Sequence, residues 1–467
     1  MLIAGIVLCY LLGCSVVMAV SRKFSLAEIT GYSFLTGIGM QTVFLFLLDI
    51  FQLHFTPFLL ISLNLVVIIA LNRKFPETIA AFKEKLNQAR AGASAVNYVA
   101  VFLFCIIAYL FYTITIKNLF WPPSEGDSIT SFDKLARVMA LEGKFKISLF
   151  QYNLQGAAGV YPPLFHGSFT YVYLFGAETP KIVITFYFLS LLTLFYSFVK
   201  AYTNTTAAML FTLVLMATPE LYAHAALALG NMPTAAYICP AVLATYLWLD
   251  KGDEKYFWMG AIMLGFTGWI RSDAIAFIIA VIFMIALKAL QTKDFKRLLI
   301  FGAIALIPFV SWLLYVKLKI QVPQASRFDL SIGYNAARLN TMLNYTKAYL
   351  FALPYREVHG GQLYGVVFVG FFLALIVNAA IAFKKGIKIV FGNQWILLAF
   401  LMVAFSLYFS EFYVINEDVQ SSGIASLMAS SFKRGMFYFL PIVLFFTATC
   451  FSSKIFFDKL EKFRTGS

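Results

Sequence analysis

Pro162-Pro163-Leu164-Phe165-His166-Gly167-Ser168-Phe169-Thr170-Tyr171-Val172-Tyr173-Leu174-Phe175-Gly176 is apolar enough to enter a membrane and short for crossing one. A spanning helix needs roughly 20 apolar residues, and this stretch is closed off by the proline pair on one side and by Gly176 and Glu178 on the other. Whether it crosses decides the sidedness of everything around it, because basic residues collect on the cytoplasmic side of membrane proteins. If 162–176 stays on one side, five basic groups share a face. They are Arg22/Lys23; Arg73/Lys74 with Lys83, Lys85 and Arg90; Lys288 with Lys293, Lys296 and Arg297; Lys384/Lys385/Lys388; and Lys454, Lys459, Lys462 and Arg464. If it crosses, the groups before and after it land on opposite faces. The charge pattern therefore predicts a helix that stays in the membrane interface, amphipathic or re-entrant.

The rest of the chain agrees with a membrane setting. Of 467 residues, 61% are hydrophobic and only 12% charged, where soluble domains carry about 25% charged residues. The mean hydropathy is +0.82. Apolar segments at 2–20, 31–50, 55–71, 97–116, 182–199, 205–222, 231–249, 256–270, 274–290, 298–316, 362–383, 390–409 and 435–452 predict an all-α polytopic fold of about thirteen transmembrane helices. With 162–176 in the interface, the N-terminus is expected outside and the C-terminus in the cytoplasm. The first segment lacks a basic residue ahead of it and a small-residue cleavage site, so it reads as a retained helix. No stretch long enough for a soluble domain separates the spans.

The net charge of +14 points to topology and anionic lipid, not to nucleic acid, because the basic residues sit in short loops beside apolar segments. Cys9, Cys14, Cys105, Cys239 and Cys450 all lie within apolar stretches and read as small hydrophobes. The chain has no Walker loop, no HExxH and no GxGxxG in a strand–helix context. It also lacks a clear internal repeat and carries few charges deep in its spans, features that count against an ion-coupled transporter.

Three outer loops stand out by length: 117–181, 317–361 and 410–434. In the first, Glu125-Gly126-Asp127 precedes a run, Ser128 to Lys144, in which Ile129, Phe132, Leu135/Ala136 and Met139 recur at helical spacing. That predicts an amphipathic surface helix. Asp127 is placed either to cap that helix or to act as a base. Asp133 is placed for an i,i+4 ion pair with Arg137, and Glu125 reads as a solvated loop residue. Further on, Glu220 and His224 follow the span at 205–222, and His224 reads as an interfacial polar residue. Asn231 stands near the start of the next span. Arg271 and Asp273 occupy a turn of only a few residues, where Arg271 either pairs with Asp273 or binds phosphate. The second long loop holds Arg327, Arg338, Lys347, Arg356 and His359, ending in Gly360-Gly361. The third ends in Lys433-Arg434, two cations on the face where cations are disfavoured, for which an anionic ligand is a good reason.

An acid just after a transmembrane helix, a surface helix ending in Glu-Gly-Lys, and Tyr161-Pro162-Pro163-Leu164 opening an apolar segment together resemble the first outer loop of the GT-C glycosyltransferases. These include protein O-mannosyltransferases and bacterial lipid A aminoarabinose transferases. Lys433-Arg434, before an aromatic run and Pro441, is similar to the cation element at the outer end of a late helix in that family. A basic residue at Arg271 also fits the pattern. Ser128 departs from it, since the family often has Asp-Glu where this chain has Asp127-Ser128. The resemblance spans 97–452 in layout and is specific at three short motifs. It implies a GT-C-like catalytic unit over 97–467 and leaves the helices of 1–96 without a role. It implies transfer of a sugar from a polyprenyl-phosphate donor to a lipid, glycan or protein acceptor, at the extracytoplasmic face of a bacterial inner or plasma membrane. Asp127 is then the base, and Arg434, Lys433, Arg271 and Arg356 are phosphate ligands. Glu125, Asp133, Tyr161 and His166 are candidate donor, acceptor or metal contacts. Some members use a divalent metal, which Asp127 with Glu125 or Asp133 could hold. The competing readings are a transporter or flippase of lipid-linked sugars and an O-antigen polymerase or ligase-like enzyme.

Overall fold

The computed structural model describes residues 1–74, 83–85, 87, 97–148, 161–321, 329, 331–351, 364–415 and 423–465. Among the described residues every regular element is helical and no strand forms. In chain order the main helices are α1 (Leu2–Val20), α2 (Leu26–Ile50), α3 (Pro57–Lys74), α4 (Tyr98–Phe120), α5 (Asp133–Glu142), α6 (Leu164–Leu174), α7 (Ile182–Lys200), α8 (Thr205–Ala217) and α9 (Pro219–His224). They continue with α10 (Asn231–Lys251), α11 (Glu254–Gly268), α12 (Ile275–Thr292), α13 (Phe295–Ile320), α14 (Ala336–Phe351), α15 (Val367–Lys385), α16 (Gln394–Tyr413), the irregular α17 (Ile424–Thr449) and α18 (Phe451–Thr465).

Helix starts follow local chemistry. Ser25 and Glu28 form a reciprocal capping box at α2, with Glu28 Oε2 accepting from Ser25 N at 2.7 Å and Ser25 Oγ from Glu28 N at 3.3 Å. Asn97 caps α4 through Ala100 N, and Asn204 caps α8 through Ala207 N. Pro219 ends α8, because it has no N–H and pushes Thr218 out of the helical region (φ −62°, ψ 117°), then opens α9 at its first position.

Nine helices among the described residues are long and apolar enough to cross a bilayer, or ten if α17 and the start of α18, bent by 60°, count as one span. The chain is thus a polytopic helical membrane protein. All thirteen expected segments overlap helices, but length and composition support nine or ten spans. With 13 and 15 residues, α8 and α11 reach only about 20 and 23 Å at 1.5 Å per residue, against a core of roughly 30 Å. α3 is likewise among the shorter apolar helices.

α10 is the axis of the bundle, with its apolar window buried on all sides. It packs against α7, α11, α12 and α17. α4 lies at the periphery, and Val99, Phe102, Tyr109 and Tyr112 face outward from it. Where α1 crosses α2, the backbones nearly touch. A Cβ on Gly13 would stand 1.8 Å from the Ser33 carbonyl oxygen, and one on Gly37 2.0 Å from that of Cys9. Small residues permit this approach in membrane helices, where dispersion and hydrogen bonds take over from the hydrophobic effect. Between α2 and α3, Gln41 and Asn64 exchange two side-chain hydrogen bonds of 2.6 and 3.1 Å.

The decisive stretch needs one correction. α6 has 11 residues, about 16 Å of helix, too short to span. It is not amphipathic, however: residues 164–172 are all buried. α2 and α5 pack against it, α1 and α7 touch it, and the Leu164 amide donates to the Trp269 carbonyl at 2.9 Å. With no charged residue to hold in water, the helix is covered by protein on every face over 164–172. The amphipathic role falls to α5, which turns Leu135, Ala136 and Met139 inward and exposes Leu141, and which ends at Gly143 with φ +67°.

The charges sort by end. At one end of the bundle Lys255 meets Glu28 (3.8 Å) and the Lys23 carbonyl (3.2 Å), and Arg297 meets Glu254 (2.8 Å). There Lys251 and Lys454 both stand over the Tyr202 ring. Asn231 opens α10 and Arg271 follows α11, at the ends of those helices opposite Lys251 and Lys255.

Candidate functional site

The π-helical turn Met428–Phe432 within α17 leads directly into Lys433 and Arg434. Consecutive helical residues diverge by about 100°, so the two cations face different partners. Arg434 Nη1 lies 3.1 Å from Asp127 Oδ2, a contact between residues 307 apart in sequence. Lys433 Nζ lies 3.8 Å from Glu220 Oε1. The segment is held rigidly. Tyr349 donates to the Met428 carbonyl at 3.1 Å, and Tyr364 donates to the Lys433 carbonyl. Gly435 packs so tightly on Tyr408 that a Cβ there would stand 1.7 Å from the phenol oxygen.

Asp127 is not a capping residue. Its own backbone is helical (φ −58°, ψ −33°) and its side chain makes no cap hydrogen bond. Its carboxylate is 60% exposed, whereas that of Glu220 is 6% exposed. Glu220 also receives His224 Nε2 at 3.3 Å, one turn along α9. Glu220 lies past the end of α8. Burial pushes its carboxyl pKa up, but the His224 hydrogen bond and charge, followed by Lys433 and Arg434, outweigh that and hold it below its ordinary value. The His224 ring lies 5.1 Å from that of Phe437, one turn beyond Lys433.

A third cluster adjoins these. Arg271 grips Asp273 with three hydrogen bonds of 2.7 to 3.1 Å and donates to Asn231 Oδ1 at 3.3 Å. Its guanidinium lies 5.7 Å from the centre of the Tyr161 ring. Of its two expected readings, the local ion pair is present. Tyr438 follows Arg434 by four residues in the same segment.

The expected site residues divide accordingly. Asp127, Arg434 and Lys433 come together, and Arg271 and Tyr161 form the adjoining cluster. Glu125 accepts from the Ala228 amide at 3.3 Å, at the turn before α10. Asp133 turns away: it pairs with Arg137 at 3.0 Å, as its spacing suggests, and accepts from Tyr173. His166 is fully buried, its ring 6.2 Å from Phe145 and 6.5 Å from Trp312. Burial lowers its pKa to about 3 and keeps it neutral. The structure packs His166 among aromatic rings. Arg356, with Arg327, His359 and Gly360-Gly361, lies outside the described residues. The carboxylates named for a metal do not converge, since Asp127, Glu125 and Asp133 each face a different partner. Among the described residues no group of three His, Cys, Asp or Glu could hold an ion. Asp127, Glu125 and Asp133 do not form a metal centre in this arrangement.

Glu220 and His224 are the members that residue patterns alone undervalue. Their signal is the i,i+4 spacing immediately after Pro219, which places both on one face of a short helix at the end of α8. No family model, curated protein or solved structure matches the chain.

Proposed function

We propose that this protein is an integral membrane glycosyltransferase of the GT-C type. It takes a sugar from a polyprenyl-phosphate donor and transfers it to an acceptor hydroxyl at the extracytoplasmic face. The observation that carries this reading is the meeting of Asp127 with Arg434, two residues from distant outer loops. Direct displacement at an anomeric carbon needs both kinds of group. The acceptor oxygen forms the new bond to that carbon, the carbon–oxygen bond to phosphate breaks, and the phosphate leaves with the electron pair. A carboxylate takes the acceptor proton, and fixed cations stabilise the charge on the leaving phosphate. Asp127 is the base; Arg434 and Lys433 face the phosphate.

The residues beyond the two cations favour a lipid carrier. Met436, Phe439 and Val443, further along α17, line a cavity of about 360 Å³ with side chains of α14, α15 and α16. Every lining residue is Leu, Phe, Met or Val. Cations a few residues ahead of side chains that line an apolar cavity suit an amphiphile with an anionic head better than a soluble sugar nucleotide.

The test is Asp127→Asn in purified protein supplied with a polyprenyl-phosphate sugar. Removing a general base is expected to lower transfer by about 10²–10⁴-fold. Full transfer by a correctly folded variant would sink the assignment. A glycosidic product formed in detergent would also exclude pure transport.

A further inference from the structure

The Asp127–Arg434 contact conflicts with the reaction it is proposed to serve. In a direct displacement the attacking and leaving oxygens lie on opposite sides of the anomeric carbon. A base sits about 3 Å from the acceptor oxygen, and the reacting atoms approach to about 3–3.5 Å. The cation sits about 3 Å beyond, on the phosphate oxygens. A base and a phosphate ligand are then separated by something on the order of 9 Å in the reactive complex. Here they stand 3.1 Å apart.

We infer that the pair is one side of an exchange: the phosphate of the lipid donor takes the place of Asp127 on Arg434, and the carboxylate it displaces becomes the base. The inference rests on the glycosyltransferase reading and assigns unequal roles to its two cations. Arg434 is the exchanging ligand, and Lys433 is a fixed charge.

The asymmetry of the two pairs supports this. Asp127 is 60% exposed and makes no cap bond to its own helix, so it gives up no local hydrogen bond on leaving. Arg434 already spends Nε on the Ser430 carbonyl at 3.3 Å, which turns its outer nitrogens toward Asp127 and fixes the face a ligand would meet. Glu220 is 6% exposed and secured by His224. Lys433 itself is 20% exposed, with its carbonyl accepting from Tyr364. An exposed ion pair is a weak competitor for an anion, and a buried one is not easily separated.

The expected effect has an unusual sign. In lipid nanodiscs, binding of a polyprenyl monophosphate, which carries no sugar, is measured with inorganic phosphate as a parallel arm. Asp127→Asn removes the competing carboxylate and is expected to tighten binding of the lipid phosphate by about two- to fivefold, the range of exposed ion pairs. Asp127→Glu keeps the competitor and is expected to bind as the parent does. Arg434→Ala is expected to lose about tenfold or more, as for a hydrogen bond to a charged group, and Lys433→Ala less. Monodispersity and melting temperature establish that each variant is folded. Unchanged or weaker binding by Asp127→Asn overturns the exchange while leaving the donor site standing. A larger loss at Lys433 than at Arg434 overturns the division of roles. No lipid phosphate binding by the parent protein overturns the donor reading itself. An equal affinity for inorganic phosphate would make the ligand a free anion and remove the lipid from the proposal.

Discussion

Asp127 and Glu220 each face one of two consecutive cations, yet burial separates what they can do. A carboxylate open to water can be exchanged, whereas a covered one is a permanent counter-ion. Glu220→Gln leaves Lys433 and His224 without their shared acceptor and is expected to destabilise the protein by about 1–3 kcal/mol at neutral pH. The pH dependence has a definite direction. The folded pKa of Glu220 lies below its ordinary value of 4.5. Its contribution is therefore fully present above that value and lost as pH falls through the folded pKa. The gap in melting temperature between the parent and Glu220→Gln should close on acidification below about pH 4.5, and a gap that widens there would contradict the assignment. At this scale the sequence is partly legible. The misplaced cations announce themselves by violating the charge rule, and Asp127 by its place after a helix. The pairing of Asp127 with Arg434 is not legible, because no local pattern connects residues 307 apart. Nor is the isolation of His166, which takes part in packing that only the assembled bundle reveals.

Helices α6 and α17 show how the elements set up the site. Charges elsewhere in the chain predict that 162–176 does not cross, and α6 is indeed too short to span. The amphipathic form fails because the segment has no polar face to offer water; His166, Ser168 and Thr170 are all buried with their neighbours. Its lack of any charged residue and of a continuous polar face is the signal that points to an enclosed helix. Helix α17 breaks into π, α and 3-10 turns around Lys433, an irregularity that hydropathy does not register. Close packing is the other property of elements that can be tested. At Gly37 a methyl group would collide with backbone of α1 at 2.0 Å, whereas at Gly302 of α13 nothing lies within 4 Å. Gly37→Ala is expected to lower stability by about 1–3 kcal/mol or more, since overpacking against backbone cannot be relieved by a rotamer change. Gly302→Ala should be neutral or slightly stabilising, as for glycine replaced in a helix interior. Thermal melts of the two variants in the same detergent check this, and equal melting temperatures would show that the α1–α2 crossing gives way easily.

For the whole molecule, composition alone establishes a membrane protein, and the helical bundle agrees. The span count does not follow from hydropathy, because α8 and α11 are apolar segments that are too short and, for α11, largely enclosed by other helices. Sidedness is a proposal that rests on the distribution of charge. Lys251, Lys255, Arg297 and Lys454 meet around Glu28, Glu254 and Tyr202 at one end, and Lys433 and Arg434 meet Glu220 and Asp127 instead. Under the positive-inside tendency the first end is cytoplasmic, which places Asp127 outside. This orientation can be tested without any assumption about chemistry. Cys105 is exposed on the peripheral α4, so the background is Cys105→Ser. Into it go Ser124→Cys, beside Asp127, and separately Gln291→Cys, in the last turn of α12; both positions are exposed. A membrane-impermeant maleimide added to intact cells is expected to label position 124 and not 291, and to reach 291 once the membrane is opened. Labelling of both from the same side would break the assignment of opposite ends. The reverse pattern would turn the molecule over and move the site to the cytoplasmic face. The donor lipid would then have to be met there, and Lys433 and Arg434 would no longer be misplaced cations in need of an anion.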